Sequence, residues 1–200
     1  MKILLFSTLL QRAIAFANAP LNLWLFSTLL YPLSFGLSAL SAQAQIVPDG
    51  TLSSTVSSSD GQNFTIDNGD RTGNNLFHSF DTFSIPTNGS AVFEHPTDVE
   101  NIFSRVTGPS LSNIDGLLQT TGTTNLFLLN PNGIIFGPNA KLDIAGSFTA
   151  STADSFIFAD GTEFSATAAE PPLLSISVPV GLQLNQPQGN IESQEIESVV

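Results

Sequence analysis

From residue 45 to the end of the chain, apolar residues come in short runs bounded by turn pairs: Asp49-Gly50, Asp60-Gly61, Asn68-Gly69, Asn88-Gly89, Asn132-Gly133 and Asp160-Gly161. No stretch there sets apolar residues at i, i+3, i+4 and i+7 behind an N-cap, so no helix is predicted. Gly and Asn tolerate positive φ, and each pair can reverse or bend the chain at small steric cost. The runs between the turns are rich in Phe, Val, Ile and Thr, residues suited to a pleated, half-buried surface. The pattern predicts an all-β protein.

An internal echo bears on the architecture. Ile135-Phe136-Gly137-Pro138-Asn139-Ala140-Lys141-Leu142 lines up with Ile157-Phe158-Ala159-Asp160-Gly161-Thr162-Glu163-Phe164, an offset of 22 residues (135 to 157). A looser version, Ile85-Pro86-Thr87-Asn88-Gly89-Ser90-Ala91-Val92-Phe93, lies upstream. Repeats of about 20 residues, too short to bury an apolar face alone, point to a parallel β-helix. Periodicity alone leaves a β-sandwich with recurring strands open.

Residues 1–44 are of another kind. They hold Lys2 and Arg12 but no acidic residue, and Leu21 to Leu40 is their strongest apolar segment. Ala42 and Ala44 then form a small-x-small site. This is the pattern of a secretory signal, cleaved after Ala44 to leave Gln45 first, and its partners are the general secretory translocon and signal peptidase. The run is long enough to span a bilayer. Pro20, Pro32, Asn18, Asn22 and the Ala42–Ala44 site favour cleavage, with no stable membrane insertion afterwards.

Setting aside Lys2 and Arg12 leaves 3 basic against 17 acidic side chains, and the net charge moves from −12 to −14. A phosphate-backbone binder needs a basic stripe, so nucleic acid is not a partner. The chain has no Cys, which excludes disulfide frameworks, thiolate metal sites and cysteine nucleophiles.

Five motifs follow one another along the chain. Asn75-Leu76-Phe77-His78-Ser79-Phe80-Asp81-Thr82-Phe83 comes first, then Asn101-Ile102-Phe103-Ser104-Arg105-Val106-Thr107-Gly108. Ser112-Asn113-Ile114-Asp115-Gly116, Asn125 through Gly137 (NLFLLNPNGIIFG) and Ser147-Phe148-Thr149-Ala150-Ser151-Thr152 complete the series. From about Ile46 to Gln186 the chain closely resembles the N-terminal two-partner secretion domain of filamentous haemagglutinins and related large exoproteins. The resemblance implies a right-handed parallel β-helix with a capping, partly antiparallel N-terminal section. It also implies export through the periplasm and outer membrane to the cell surface, by way of a dedicated β-barrel pore with periplasmic POTRA domains. The domain is then the address that the pore reads, ahead of an adhesin-like passenger.

The resemblance assigns partner recognition to Asn130-Pro131-Asn132-Gly133-Ile134, a segment whose composition independently predicts a tight turn after the strand Leu126–Leu129. Asn101, Arg105, Val106, Thr107, Gly108, Asn113, Ile114, Asp115 and Gly116 carry the remaining family motifs. Where many members have an earlier Asn-Pro-Asn-Leu motif, this chain reads Glu94-His95-Pro96-Thr97-Asp98-Val99-Glu100-Asn101. It thus falls in a different branch.

No catalytic, cofactor or metal site is expected. His78, Ser79 and Asp81 have the letters of a triad, but adjacent strand residues point to opposite faces. Asp67-Asn68-Gly69-Asp70 resembles part of a calcium loop without its ligand spacing or distal Glu. Arg105, inside an apolar strand pattern, is expected to bridge to a carboxylate. Pro171–Pro179 is expected to be a strand covering the last coil, and residues 187–200, with Glu192, Glu195 and Glu197, a polar disordered tail. The organisation read is a signal at 1–44, a secretion domain at 45–186 and a tail at 187–200. The alternatives are an adhesin or carbohydrate-binding β-helix acting directly, and a truncated remnant. A polysaccharide-cleaving enzyme is disfavoured because Asp143 and Asp160 fall out of step with the repeat.

Overall fold

The computed structural model describes residues 45–168, 171–194 and 197–198. The leader and its cleavage site at Ala44 lie outside the described residues. Every described element is a β-strand, as the short runs and turn pairs require. The N-terminal cap is β1 (Ile46–Pro48), β2 (Ser54–Ser57), β3 (Asn63–Asn68) and β4 (Asp70–Thr72). β1 and β4 pair antiparallel with β5 (Asn75–Phe83), and β2 pairs antiparallel with β3. Asn68 and Gly69, at φ 63° and 82°, carry the chain from β3 across to β4, which pairs in a different sheet. Gly69 is required twice over, because a Cβ there would also lie 2.8 Å from the His78 ring.

Three parallel sheets then stack coil on coil. β5, β7 (Asn101–Val106), β10 (Asn125–Leu129) and β13 (Phe148–Ser151) form the first. The second is β8 (Ser112–Ile114) and β11 (Ile134–Phe136), joined by Ile85 through a bridge to Ile114. The third is β3, β6 (Ser90–Phe93), β9 (Leu117–Thr120) and β12 (Lys141–Asp143). Paired residues advance by 26 positions from Asn75 to Asn101, 24 from Asn101 to Asn125 and 22 from Leu126 to Phe148. The architecture is the β-helix with an antiparallel N-terminal cap that the resemblance implied.

After β13 the chain leaves the solenoid. β14 (Ser155–Phe158), β15 (Glu163–Ser165) and β16 (Pro179–Gln183) form a separate antiparallel sheet in the order β15-β14-β16. The chain then returns as β17 (Ile191–Ser193) and β18 (Glu197–Ser198), stacked parallel on β11 and β12. Three expectations change here. Ile157–Phe164 is not a coil stacked on Ile135–Leu142; it is the β14–β15 hairpin, and its likeness reflects a shared strand–turn–strand pattern. Residues 187–194, expected as a disordered tail, complete a fourth coil because Ile191 finds Ile134 as its ladder partner. Pro171–Val178 forms no strand; the Ser175 and Ser177 carbonyls accept from Asn75 Nδ2 at 2.9 and 2.8 Å.

Two apolar clusters result, one on each face of the first sheet. Inside the solenoid, Leu76, Phe80, Ile102, Val106, Leu126 and Leu128 meet Ile114, Ile134 and Leu118. Outside it, Phe77, Phe103 and Leu129 pack under Phe156, Phe158 and Phe164 of the added sheet. Phe77, Phe103 and Phe127 stack in register, with centroids 5.2 and 4.7 Å apart. Asn75, Asn101 and Asn125 form a side-chain ladder, each Nδ2 donating to the Oδ1 of the previous coil at 2.9 and 3.0 Å. Such ladders repeat only where identical residues stack in register. Phe103→Ala, which empties the middle of the outer cluster, should cost about 3–5 kcal/mol in urea unfolding.

His78 is fully buried inside the solenoid, against Phe80 and Phe93. Its Nδ1 lies 3.1 Å from Ser54 Oγ, and its Nε2 finds no partner. Burial holds its pKa down, to about 4. The unfolded chain takes the proton near pH 6.5, the folded chain only near 4, so protons favour unfolding throughout that window. Stability should therefore be full above pH 6.5 and fall by about 3 kcal/mol as pH drops to 4. His78→Phe should flatten that slope in pH-resolved urea melts.

Candidate functional site

The motif residues gather at two separate places. Thr107 and Gly108 close β7, and Asn130–Gly133 turn the chain from β10 into β11, one coil further on. Between them, the cap and the base of the added sheet lies a cleft of about 610 Å³, lined by Asp49, Thr51, Thr107, Pro131, Asn132 and Asp154 among others.

The turn itself is closed by Gly133 N–H donating to the Asn130 carbonyl at 3.1 Å, the tight turn that Pro131, Asn132 and Gly133 predict. Asn130 is fully buried. Its Nδ2 donates to the Ser110 carbonyl at 3.1 Å and to Ser112 Oγ at 2.9 Å, while its Oδ1 accepts from Asn132 N–H at 3.0 Å. Asn132 Nδ2 donates to the Gly108 carbonyl at 2.8 Å, tying the turn to the preceding coil. On the other side, Gly189 N–H donates to the Pro131 carbonyl at 2.8 Å and Ile134 N–H to the Asn190 carbonyl at 3.0 Å. The turn is a rung held from both sides. Gly108 leaves no room for a side chain, since a Cβ would sit 2.1 Å from the Asp81 carbonyl oxygen.

Arg105 forms the wall behind the cleft. It points outward from β7, is fully buried, and lies 5.2 Å over the Phe164 ring. Nε donates to Ser79 Oγ at 2.7 Å, one terminal nitrogen to Thr51 Oγ1 at 2.9 Å and the other to the Ser165 carbonyl. The expected bridge to a carboxylate is indirect. Ser79 and Thr51 each pass a hydrogen bond on to Asp49, at 2.5 and 2.8 Å, and Thr107 adds a third at 2.7 Å. Burial pushes the Asp49 carboxyl up, but the hydrogen bonds from Ser79, the Thr51 amide, Thr107 and the Thr51 hydroxyl together hold it below the usual carboxylate range. Asp49, Thr51 and Ser165 carry this network yet were unmarked in the sequence. Asp49-Gly50 reads only as a turn, and its partners lie up to 58 residues away.

The other motif residues lie elsewhere. Val106 and Ile114 are core, and Asn101 is the middle of the ladder. Asn113 N–H donates to Ser84 Oγ at 3.0 Å. Asp115 accepts from Thr87 Oγ1, from Asn139 N–H at 3.0 Å and from Asn139 Nδ2, bonds that hold its carboxyl below the usual range. Gly116 admits the Gly89 carbonyl oxygen 2.4 Å from where a Cβ would be. These residues pin the corner between the second and third sheets, beside a groove of about 1020 Å³ lined by Asn63, Asn88, Ser90 and Asn139 among others. His78 and Ser79 point to opposite sides of β5, one against Phe93 and the other bonded to Asp49, and among the described residues no group of three or more His, Cys, Asp or Glu is placed to hold a metal.

Arg105→Met keeps the apolar packing on Phe164 but leaves Ser79, Thr51 and the Ser165 carbonyl short of a donor. It should lower stability by roughly 2–4 kcal/mol in urea unfolding. Arg105→Lys should recover only part of this, because an ammonium cannot reproduce the planar fork that meets three acceptors.

Comparison with known proteins gives this geometry its context. The fold matches a crystal structure of the filamentous hemagglutinin secretion domain with a TM-score of 0.57 at 18% identity, over 77% of this chain and 52% of that one. A heme/hemopexin-binding protein of Haemophilus influenzae is 36% identical over 88 residues, 44% of this chain and 9% of that protein. The chain thus spans a small fraction of the curated relative it matches. The family described as the TPS secretion domain matches residues 44–198, through both returning strands and beyond the boundary at 186 that the motifs suggested. Members are exoproteins secreted across the outer membrane by a cognate transporter, and the family is one of secretion domains rather than of enzymes. The chain belongs to the TPS secretion domain family.

Proposed function

We propose that residues 45–198 are the secretion address of a two-partner exoprotein, read by an outer-membrane pore through its periplasmic POTRA domains after the leader at 1–44 has taken the chain through the general secretory translocon and been removed by signal peptidase. The passenger in this reading is adhesin-like. The observation that carries it is the burial of Asn130 in a chain that matches the family over residues 44–198. In the folded domain Asn130 has no surface, and Pro131–Ile134 is hydrogen-bonded to residues 189 and 190 of the next coil. A pore that reads this segment through Asn130 meets it in the unfolded chain, in transit, and folding at the cell surface then hides that side chain. Absence of Cys and slow, non-local parallel pairing both favour a chain that stays open long enough to be threaded.

Direct carbohydrate binding, in the groove beside Asn63, Asn88 and Asn139, is a weaker reading. That groove offers amides, but no aromatic ring is among its lining residues.

The test is release of full-length tagged chain into the medium of a Gram-negative host, with and without a cognate pore. Release should depend on the pore and drop in Asn130→Ala and Asn132→Ala. Asn130→Ala strips the buried Ser112 hydroxyl and the Ser110 carbonyl of their donor and should also cost about 1–3 kcal/mol of folded stability. Asn132 is exposed, so its variant should lose release with little loss of stability. Phe156→Ala, destabilised away from the motif, calibrates the effect of stability alone. Equal periplasmic retention with and without the pore, or normal release of Asn132→Ala, would overturn the reading.

A further inference from the structure

Of the eight large apolar side chains that stand exposed among the described residues, six belong to one stretch: Leu173, Ile176, Val178, Val180, Leu182 and Leu184. Val180, Leu182 and Leu184 are 65, 47 and 62% exposed. The stretch includes β16, which pairs with β14 on one side and, among the described residues, has no strand on the other. A bare strand edge is a row of amide and carbonyl groups ready to pair, and proteins usually guard it with lysines or inward-pointing charges. Here there is no guard of that kind. From Pro171 to Asn190 not one residue is charged, in a chain that carries 17 acidic side chains. Pro179 limits pairing only at the start of the strand.

We propose that this edge is where two folded copies of the chain pair, β16 against β16, antiparallel about a twofold axis at Leu182. The segment Val180-Gly181-Leu182-Gln183-Leu184 is self-complementary in that register. Val180 stands opposite the partner's Leu184, and Leu182 opposite the partner's Leu182. Period-two alternation puts all three apolar residues on one face, and directly opposed side chains are the contacts that stabilise an antiparallel pair.

Charge selects a second copy as the occupant. Two chains of such strong acidity repel wherever carboxylates approach, and this uncharged stretch, with its exposed apolar side chains on a strand edge, lets the contact form without bringing any of its own together. A twofold contact uses the same patch on both partners and closes on itself, so assembly stops at the pair and no filament grows. The two three-stranded sheets merge into one of six strands. The pairing needs only the folded chain and is independent of how the pore reads the address.

The test uses residues 45–200, which contain every described strand and both apolar clusters. Sedimentation over a dilution series should show a reversible shift from one to two copies. Leu182→Lys should hold the mass at one copy with an unchanged circular dichroism spectrum and melting temperature. The chain has no Cys, so an introduced one reports on its own position. Leu182→Cys should oxidise to a covalent dimer several-fold faster than Leu111→Cys, an exposed site on the loop before β8. A mass of one copy at every concentration, a dimer that persists in folded Leu182→Lys, or equal cross-linking at the two cysteines would overturn the proposal.

Discussion

Phe77, Phe103 and Phe127 stack in one outward-facing column of the first sheet, and left in water that column would forgo about 1.5–3 kcal/mol of burial for each ring. A solenoid of this kind can leave its outer faces wet, but this one cannot. The chain therefore interrupts its fourth coil after β13, lays β14, β15 and β16 over the aromatic column, and resumes at β17. Much else follows from that detour. Phe164 and the Ser165 carbonyl come down over Arg105, so a guanidinium that would otherwise be solvated has to be satisfied by Ser79 and Thr51 and, behind them, Asp49. The ladder of Asn75, Asn101 and Asn125 ends on the Ser175 and Ser177 carbonyls, again residues of the detour.

The detour also delays closure of the turn at Asn130–Gly133. Its lower side is held by the Gly108 and Ser110 carbonyls, which precede it in the chain. Its upper side waits for Gly189 and Asn190, beyond the whole of the added sheet. A segment emerging N-terminus first would thus have the turn half held until the fourth coil closes. Of the residues that make the turn a recognition candidate in the extended chain, folding conceals Asn130 fully, and its burial is the physical link between the two states.

Much of the fold was legible in the sequence. Turn pairs at Asn68-Gly69 and Asn132-Gly133 marked real corners between strands of different sheets, and strand alternation placed His78 and Ser79 on opposite faces correctly. The β14–β15 hairpin was misread as a coil because strand–turn–strand spacing is the same whether the second strand returns beside the first or moves on to a neighbouring sheet. Residues 187–194 were misread as a tail because a polar strand such as Ile191–Ser193 is held by ladder hydrogen bonds to β11 and shows no apolar pattern of its own. Of the site, the motif residues were visible, but Asp49, Thr51 and Ser165 were not, because nothing local distinguishes a turn aspartate from one that accepts hydrogen bonds across two coils.

What the sequence determined by itself was the set of local choices: strands rather than helices, where the chain turns, the absence of thiol chemistry, the acidic surface and the family motifs in order. Each depends on a residue and its near neighbours, through φ preference, side-chain branching or formal charge. Only the tertiary structure decided which strands stack, which face of the first sheet is covered, how Arg105 is satisfied and that Asn130 is hidden. Those outcomes depend on contacts between residues tens of positions apart. They are set by the need to bury both faces of one aromatic sheet, a condition that exists only once the coils have been brought together.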